Sequence, residues 1–283
     1  MDSRRVADLL TPFLATARAE SAMLTPRQLD QISIYIDLLL RWNARISLTA
    51  IRTPEEIVTR HFGESLFAAR HLLPCDPDTP CGAGNPAREG SCVSPEPSLR
   101  SEGPDSASLP GRTEKAFQQG APQASFQDSD RTSASPEQSS TQPGRIVDLG
   151  SGAGFPGLPL KIWSPHTAVM LIESNQKKVA FLREAIRALT LTDINVFPRR
   201  AQDYPAASVP LLTLRAVERF ETILPAAARL LTPGGTVALL IGQSQVSQAQ
   251  SLLPAFQWNA PLTIPMSSSR LLICATRSQE VVT

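Results

Sequence analysis

The sequence predicts an α/β protein, an open and mostly parallel sheet with helices on both faces, preceded by a helical cap. Three observations predict it. The segment Arg145 to Pro159, RIVDLGSGAGFPGLP, joins a short apolar strand to a glycine-dense turn and then to a helix. Strand-like and helix-like segments alternate after it, and such alternation implies parallel strands with a ligand crevice at their C-terminal ends. Ahead of it, apolar residues recur at helical spacing.

Taken in order, Val6, Leu9, Leu10, Phe13 and Leu14 form the apolar face of a first helix. Thr25 and Gln28 have the form of a capping box opening a second helix that carries Ile32, Ile36, Leu39 and Leu40. Pro54, followed by Glu55 and Glu56, suits the first turn of a third helix with Ile57, Val58, Phe62, Leu66 and Leu72 on its apolar side. These helices make up a cap over residues 1–74, packed beside the sheet.

Residues 75–144 read differently. They hold ten acidic residues against five basic ones, and ten of the chain's 25 prolines. With many serines and glycines and almost no hydrophobic periodicity, this stretch cannot bury enough apolar surface to offset ordering, and it is expected to be a disordered insertion. Cys75, Cys81 and Cys92 lie within it at spacings that match no common zinc pattern, and no metal is expected. The whole chain has a net charge of +1, so removing this acidic stretch leaves a mildly basic remainder, compatible with a polyanionic partner.

Residues 145–283 form the expected core. Ile146, Val147 and Leu149 suit a buried parallel strand, and Gly150, Gly152 and Gly154 let the following turn lie against a ligand. Ala168 to Ile172 is a second strand ending in Glu173, and Asn175 is placed to cap a helix through Leu189. On that helix Lys177, Lys178, Arg183 and Arg187 read as a solvated face. Strands at Ile194 to Phe197 and Leu211 to Leu214 follow, then a helix through Leu230. Thr232 to Gly235, TPGG, reads as a helix stop and turn into a strand at Thr236 to Ile241. Segments around Phe256 and Arg270 to Ala275 supply closing strands.

Gly152, Gly154 and Gly157 match the spacing GxGxxG, which alone would suggest a dinucleotide. Asp148 argues otherwise. A carboxylate at the strand's C-terminal end repels a pyrophosphate but attracts the ammonium and sulfonium charges of S-adenosylmethionine. Glu173, 23 residues beyond Gly150, is placed to accept hydrogen bonds from ribose hydroxyls. An ordinary glycine turn and an exposed helix-capping glutamate are the plainer alternatives. No stretch is long or apolar enough to span a membrane, and MDSRRVADLL lacks the apolar core of a signal peptide, so a cytoplasmic protein without membrane contact is expected.

Four blocks, WNARISLTAIRTPEEIVTRHF (Trp42 to Phe62), RIVDLGSGAGFPGLPLKI (Arg145 to Ile162), LIESNQKKVAFLRE (Leu171 to Glu184) and LRAVERF (Leu214 to Phe220), resemble the bacterial 16S ribosomal RNA guanine-N7 methyltransferases, also called glucose-inhibited division protein B. The resemblance implies a Rossmann-like class I S-adenosylmethionine-dependent methyltransferase that modifies 16S ribosomal RNA or the small ribosomal subunit, acting as a monomer. It places the cofactor against Gly150 and Phe155, against Ala201 and Gln202 after the third strand, and near Arg215 after the fourth, with Glu173 on the ribose. A structural ion pair is the alternative reading of Arg215. Arg45, Arg52, Arg60, Arg199, Arg200, Arg215 and Arg219 are candidates to meet RNA, each also readable as a solvated arginine. The sequence departs from the family's pattern at Gln202, where an acid is usual, at Ser47, at Glu64, where aspartate is common, and at Ile241, where a lysine often precedes glycine. A methyltransferase for another substrate and a non-catalytic assembly factor of the same fold stay open.

Overall fold

The computed structural model describes residues 1–15, 23–73, 145–215 and 220–278. The insertion expected over 75–144, with its three cysteines, and Arg219 lie outside the described residues.

Five parallel strands form the centre of the sheet: β1 (Ile146–Leu149), β2 (Val169–Ile172), β3 (Ile194–Phe197), β4 (Val209–Arg215) and β5 (Leu231–Gly242). β6 (Phe256–Trp258), β7 (Leu262–Thr263) and β8 (Arg270–Arg277) complete it, with β8 antiparallel to β5, β6 and β7. The strand order is β3-β2-β1-β4-β5-β8-β6. The chain therefore runs outward from β1 through β2 to β3, then returns to start β4 on the other side of β1. Such a reversal opens a crevice above the C-terminal ends of β1 and β4.

Alternate residues of the central strands enter two apolar clusters, because side chains of a strand point to opposite faces. Ile146, Leu211, Ala238, Leu240 and Leu272 join one cluster; Val147, Leu212, Val237, Leu239 and Ile273 join the other. The second is covered by α7 (Phe220–Leu230) and α8 (Val246–Leu252), through Phe220, Leu224, Ala227 and Ala249. The first is covered by α5 (Gly157–Trp163) and α6 (Gln176–Ala188) together with the N-terminal helices α1 (Ser3–Leu14), α2 (Pro26–Asn43) and α4 (Glu64–Leu72), and with Ile57, Val58 and Phe62 from the segment between the short α3 (Pro54–Glu56) and α4. The N-terminal helices thus share one core with the sheet.

Local sequence explains the helix ends. Thr25 and Gln28 make the expected capping box at the start of α2, with Gln28 Oε1 accepting from the Thr25 N–H at 2.8 Å. Asn175 Oδ1 accepts from the N–H groups of Lys177 and Lys178 at the start of α6. Between α3 and α4, Ile57–Gly63 is π-helical, a geometry often found where a helix carries functional side chains. Arg60 and His61 lie on it.

The TPGG segment is corrected in one respect. α7 ends at Leu230, as expected, but β5 already begins at Leu231, which pairs with Val209; the ladder resumes at Leu211 and Thr236. Thr232 to Gly235 therefore interrupts the register inside β5 instead of preceding it, with Gly234 at a φ of 75°.

Candidate active site

The bend after β1 depends on backbone conformations open mainly to glycine. Gly150, Gly152 and Gly154 have φ values of 72°, 57° and 88°. The Gly150 N–H donates to the Ile172 carbonyl at 2.8 Å, which hangs the bend from the end of β2. The glycines divide into two kinds. Among the described residues, a Cβ at Gly150 would meet nothing within 4 Å, and one at Gly152 would meet only the Gly150 carbonyl at 3.7 Å. At Gly154 it would strike Leu158 and the Tyr35 hydroxyl, and at Gly157 it would strike Leu171 and the Asp148 carboxylate. Gly150 and Gly152 face open space above the sheet edge; Gly154 and Gly157 allow close packing within the protein.

Glu173, buried at the end of β2, borders the open side. Its Oε2 accepts from the Gly152 N–H at 2.9 Å and its Oε1 from the Asn175 N–H at 2.8 Å. A carboxylate has about four acceptor positions, so capacity remains for a ligand's hydroxyls. Ala201 and Gln202 open a short 3₁₀ turn, Ala201–Asp203, beyond the end of β3. The Gln202 carbonyl accepts from Arg229 at 3.1 Å, and its side chain is exposed. Arg215 ends β4 on the other side of β1. Four of the expected contacts consequently lie along one sheet edge in strand order: Ala201 with Gln202, then Glu173, then the glycine bend, then Arg215.

Three expected contacts are revised. Asp148 is 1% exposed, and its oxygens accept from Thr213 Oγ1 at 2.9 Å and from the Gly157 N–H at 3.2 Å. Strand alternation turns it into the protein, where it ties β1 to β4 and to the start of α5. Burial pushes its carboxyl up to about 6, against the hydrogen bonds that pull it down. Gly154 turns its Cα toward Tyr35. The Phe155 ring stacks on Tyr35 with centroids 5.3 Å apart and on His61 at 4.7 Å, with Phe62 edge-on at 5.2 Å. Phe155 therefore anchors the bend in the core.

Arg215 makes the ion pair named as its alternative. Its Nη2 lies 3.0 Å from Glu64 Oε2, and Arg270 Nη2 reaches the same oxygen at 3.1 Å. The Glu64 side chain is 5% exposed and that of Arg215 10%, so this is a mostly buried group of two guanidiniums on one carboxylate. It holds the Arg215 head group, which also donates to the Arg60 carbonyl at 2.8 Å. His61, beside this group, bonds through Nε2 to Thr49 Oγ1 at 2.7 Å. Burial first, then Arg215, Arg60 and Arg270, push the imidazole down to about 3, so it is neutral at physiological pH. Arg45, Arg52, Arg60, Arg199 and Arg200 are exposed.

Sequence reasoning missed Tyr35 and the pairing of Glu64 with Arg270. Tyr35 could have been found: a phenol among Ile32, Ile36 and Leu39 on a buried face needs a hydrogen-bond partner. Nothing local foretells the Glu64 contact with Arg270, 206 residues away.

With this geometry in hand, the family described as rRNA small subunit methyltransferase G (GidB) matches residues 28–96 and 126–269. The chain belongs to that family. Relatives bearing the name Ribosomal RNA small subunit methyltransferase G include one from Xanthomonas campestris pv. campestris strain B100, 30% identical over 210 residues. That alignment covers 74% of this chain and 66% of the relative, just under two thirds of its length. The Xylella fastidiosa relative is 27% identical over 89% of this chain and 90% of its own. The one from Stenotrophomonas maltophilia is 28% identical over 96% and 95%. Among solved structures, Pyrococcus horikoshii TYW2 in complex with MeSAdo aligns with 50% of this chain and 60% of its own at 14% identity and a TM-score of 0.42. The Rossmann-like class I arrangement rests on the strand order and on family membership, not on that likeness.

Proposed function

We propose that this protein transfers a methyl group from S-adenosylmethionine to N7 of a guanine in 16S ribosomal RNA, as a cytoplasmic monomer acting on the small subunit or its precursor. The observation that carries the reading is the open face of Gly150 and Gly152, bordered by Glu173 on one side and Arg215 on the other, in a chain of the rRNA small subunit methyltransferase G family. The residues fit the cofactor: the bend leaves room for a ligand against bare backbone, and Glu173 offers acceptors for ribose hydroxyls. Ala201 and Gln202 would hold its adenine end, and Arg215 would stand nearest its transferable methyl group. The bound donor supplies a methyl group activated by its sulfonium charge.

The chain's own residues then have positioning work to do. Guanine N7 carries a free lone pair, so no proton has to leave before attack, and a neutral His61 beside the site is compatible with that chemistry. Holding the base in line and excluding water are effects worth about 7–11 kcal/mol in well-oriented systems. The guanidiniums of Arg60, Arg215 and Arg270 suit a phosphate or the guanine O6 better than the reacting nitrogen, because the ring becomes cationic there as it is methylated. An unstacked guanine is the expected target, because specific RNA recognition mostly reads unpaired bases.

Incubating the protein with labelled donor and either 16S RNA or small subunits, then mapping modified nucleosides, tests the proposal. Label recovered as 7-methylguanosine at one position is the expected result. Label on another base, on protein, or nowhere with either substrate overturns it.

A further inference from the structure

We infer that Tyr35 is a positioning residue for the donor site: from α2 it fastens the glycine bend on its core side and so keeps Gly150 and Gly152 presented to the ligand. The inference rests on the reading of that bend as the donor site and goes beyond it, because it makes an N-terminal helix part of the cofactor-binding machinery.

Tyr35 is fully buried, and its hydroxyl donates to the carbonyl of Ala153, in the middle of the bend. The ring lies parallel to Phe155 at 6° between planes, with Phe62 edge-on at 5.1 Å and Phe181 at 6.2 Å. One side chain thus grips the bend twice, through a peptide oxygen and through the ring of the residue two positions on. Gly154, between those grips, is the residue whose missing Cβ makes room for the phenol oxygen. A left-handed Gly154 and a buried Tyr35 are two halves of one contact.

The bend contributes no ligand side chain at Gly150 or Gly152. Its affinity for a ligand rests on where its backbone lies, and fixing that backbone beforehand lowers the ordering cost of binding. Burial raises the phenol well above its usual value, so it stays a hydrogen-bond donor at any working pH. The other hydrogen bonds that hold the bend, from Ile172, Ser151, Asp148 and Glu173, come from the core domain's own strands and turn. Tyr35 adds a hydrogen bond from the N-terminal helices, whose His61 and Phe62 meet the bend through the Phe155 ring.

Tyr35→Phe in the full chain tests this, because it keeps the ring stack and removes only the hydroxyl. S-adenosylmethionine binding is measured by calorimetry, together with thermal midpoints and steady-state kinetics on small subunits. The expected result is a donor Kd and KM raised by about fivefold to tenfold, the effect of one buried hydrogen bond, with kcat at saturating donor unchanged. Leu224→Ala, in the cluster on the opposite face of the sheet, is the control for general destabilisation; it should lower the midpoint and leave donor Kd unchanged. A Tyr35→Phe protein that binds donor as tightly as wild type overturns the inference, as does a Leu224→Ala protein that loses donor affinity equally. Wild type that takes up no donor instead overturns the underlying reading of the site, and this inference with it.

Discussion

Gly150 and Gly154 are four residues apart in the same bend and carry opposite duties. Gly150→Asp places a charged side chain in the ligand space at a positive φ, and donor binding should fall by about 100-fold or more while the fold survives. Calorimetry and thermal melting of the same sample check both halves. Gly154→Ala should instead destabilise the protein itself, by about 2–4 kcal/mol, because its methyl group would meet Tyr35 and Leu158 at φ 88°. Asp148 adds a pH signature. Its carboxyl titrates near 6 when folded, above the ordinary 3.8, so the folded state holds an extra proton between those values and Asp148 favours folding as pH falls from about 6 to 4. His61 and His71, lowered to about 3 and about 4, act in the opposite sense: the unfolded chain takes up their protons first, and stability falls with pH below 6.5. In Asp148→Asn only the histidine effect remains of these three. Its thermal midpoint should therefore fall more steeply from pH 6 to pH 4 than that of wild type, and equal slopes would refute the assignment.

Helix α2 is tied to the rest of the protein by two buried amides. Gln28 Nε2 donates to the Ile162 carbonyl at 2.8 Å and Gln31 Nε2 to the Leu189 carbonyl at 2.8 Å, satisfying carbonyls at the C-terminal ends of α5 and α6. Gln28 also closes the capping box with Thr25, so Gln28→Leu removes a cap and leaves buried carbonyls without a partner. The expected cost is about 2–4 kcal/mol in denaturant unfolding, and a loss below about 0.5 kcal/mol would contradict it. At this scale the sequence was partly legible. Local patterns gave β1, β2, β3, the capped starts of α2 and α6, and the Glu173 position, because each depends on residues within a turn or a strand of one another. TPGG marked the helix stop, but not that β5 starts at Leu231 before it, because that start depends on pairing with Val209. Asp148 misled in another way: strand position was readable, but which face it turned to depended on Thr213 and Gly157, set by pairing 65 residues away for Thr213.

For the molecule as a whole, the family match passes over residues 97–125, within the stretch whose composition resists a packed core. Deleting 97–125 should leave donor affinity and methyl transfer within about twofold of wild type, since the described residues that border the glycine bend all lie outside it. The N-terminal helices, by contrast, reach the proposed donor site: Tyr35, His61 and Glu64 all meet residues at the C-terminal edge of the sheet. The four motif blocks identified the family from the sequence, but the contribution of these helices to the site became visible only with the fold, since it is made of groups brought together from 94 to 151 positions apart. The central claim is that the open bend after β1 takes a sulfonium nucleoside. Titrating the full-length protein with S-adenosylmethionine and, separately, with NAD is the most direct measurement. Saturable uptake of the first with no heat from the second is the expected result; tight binding of the dinucleotide with none of the methyl donor would contradict the account.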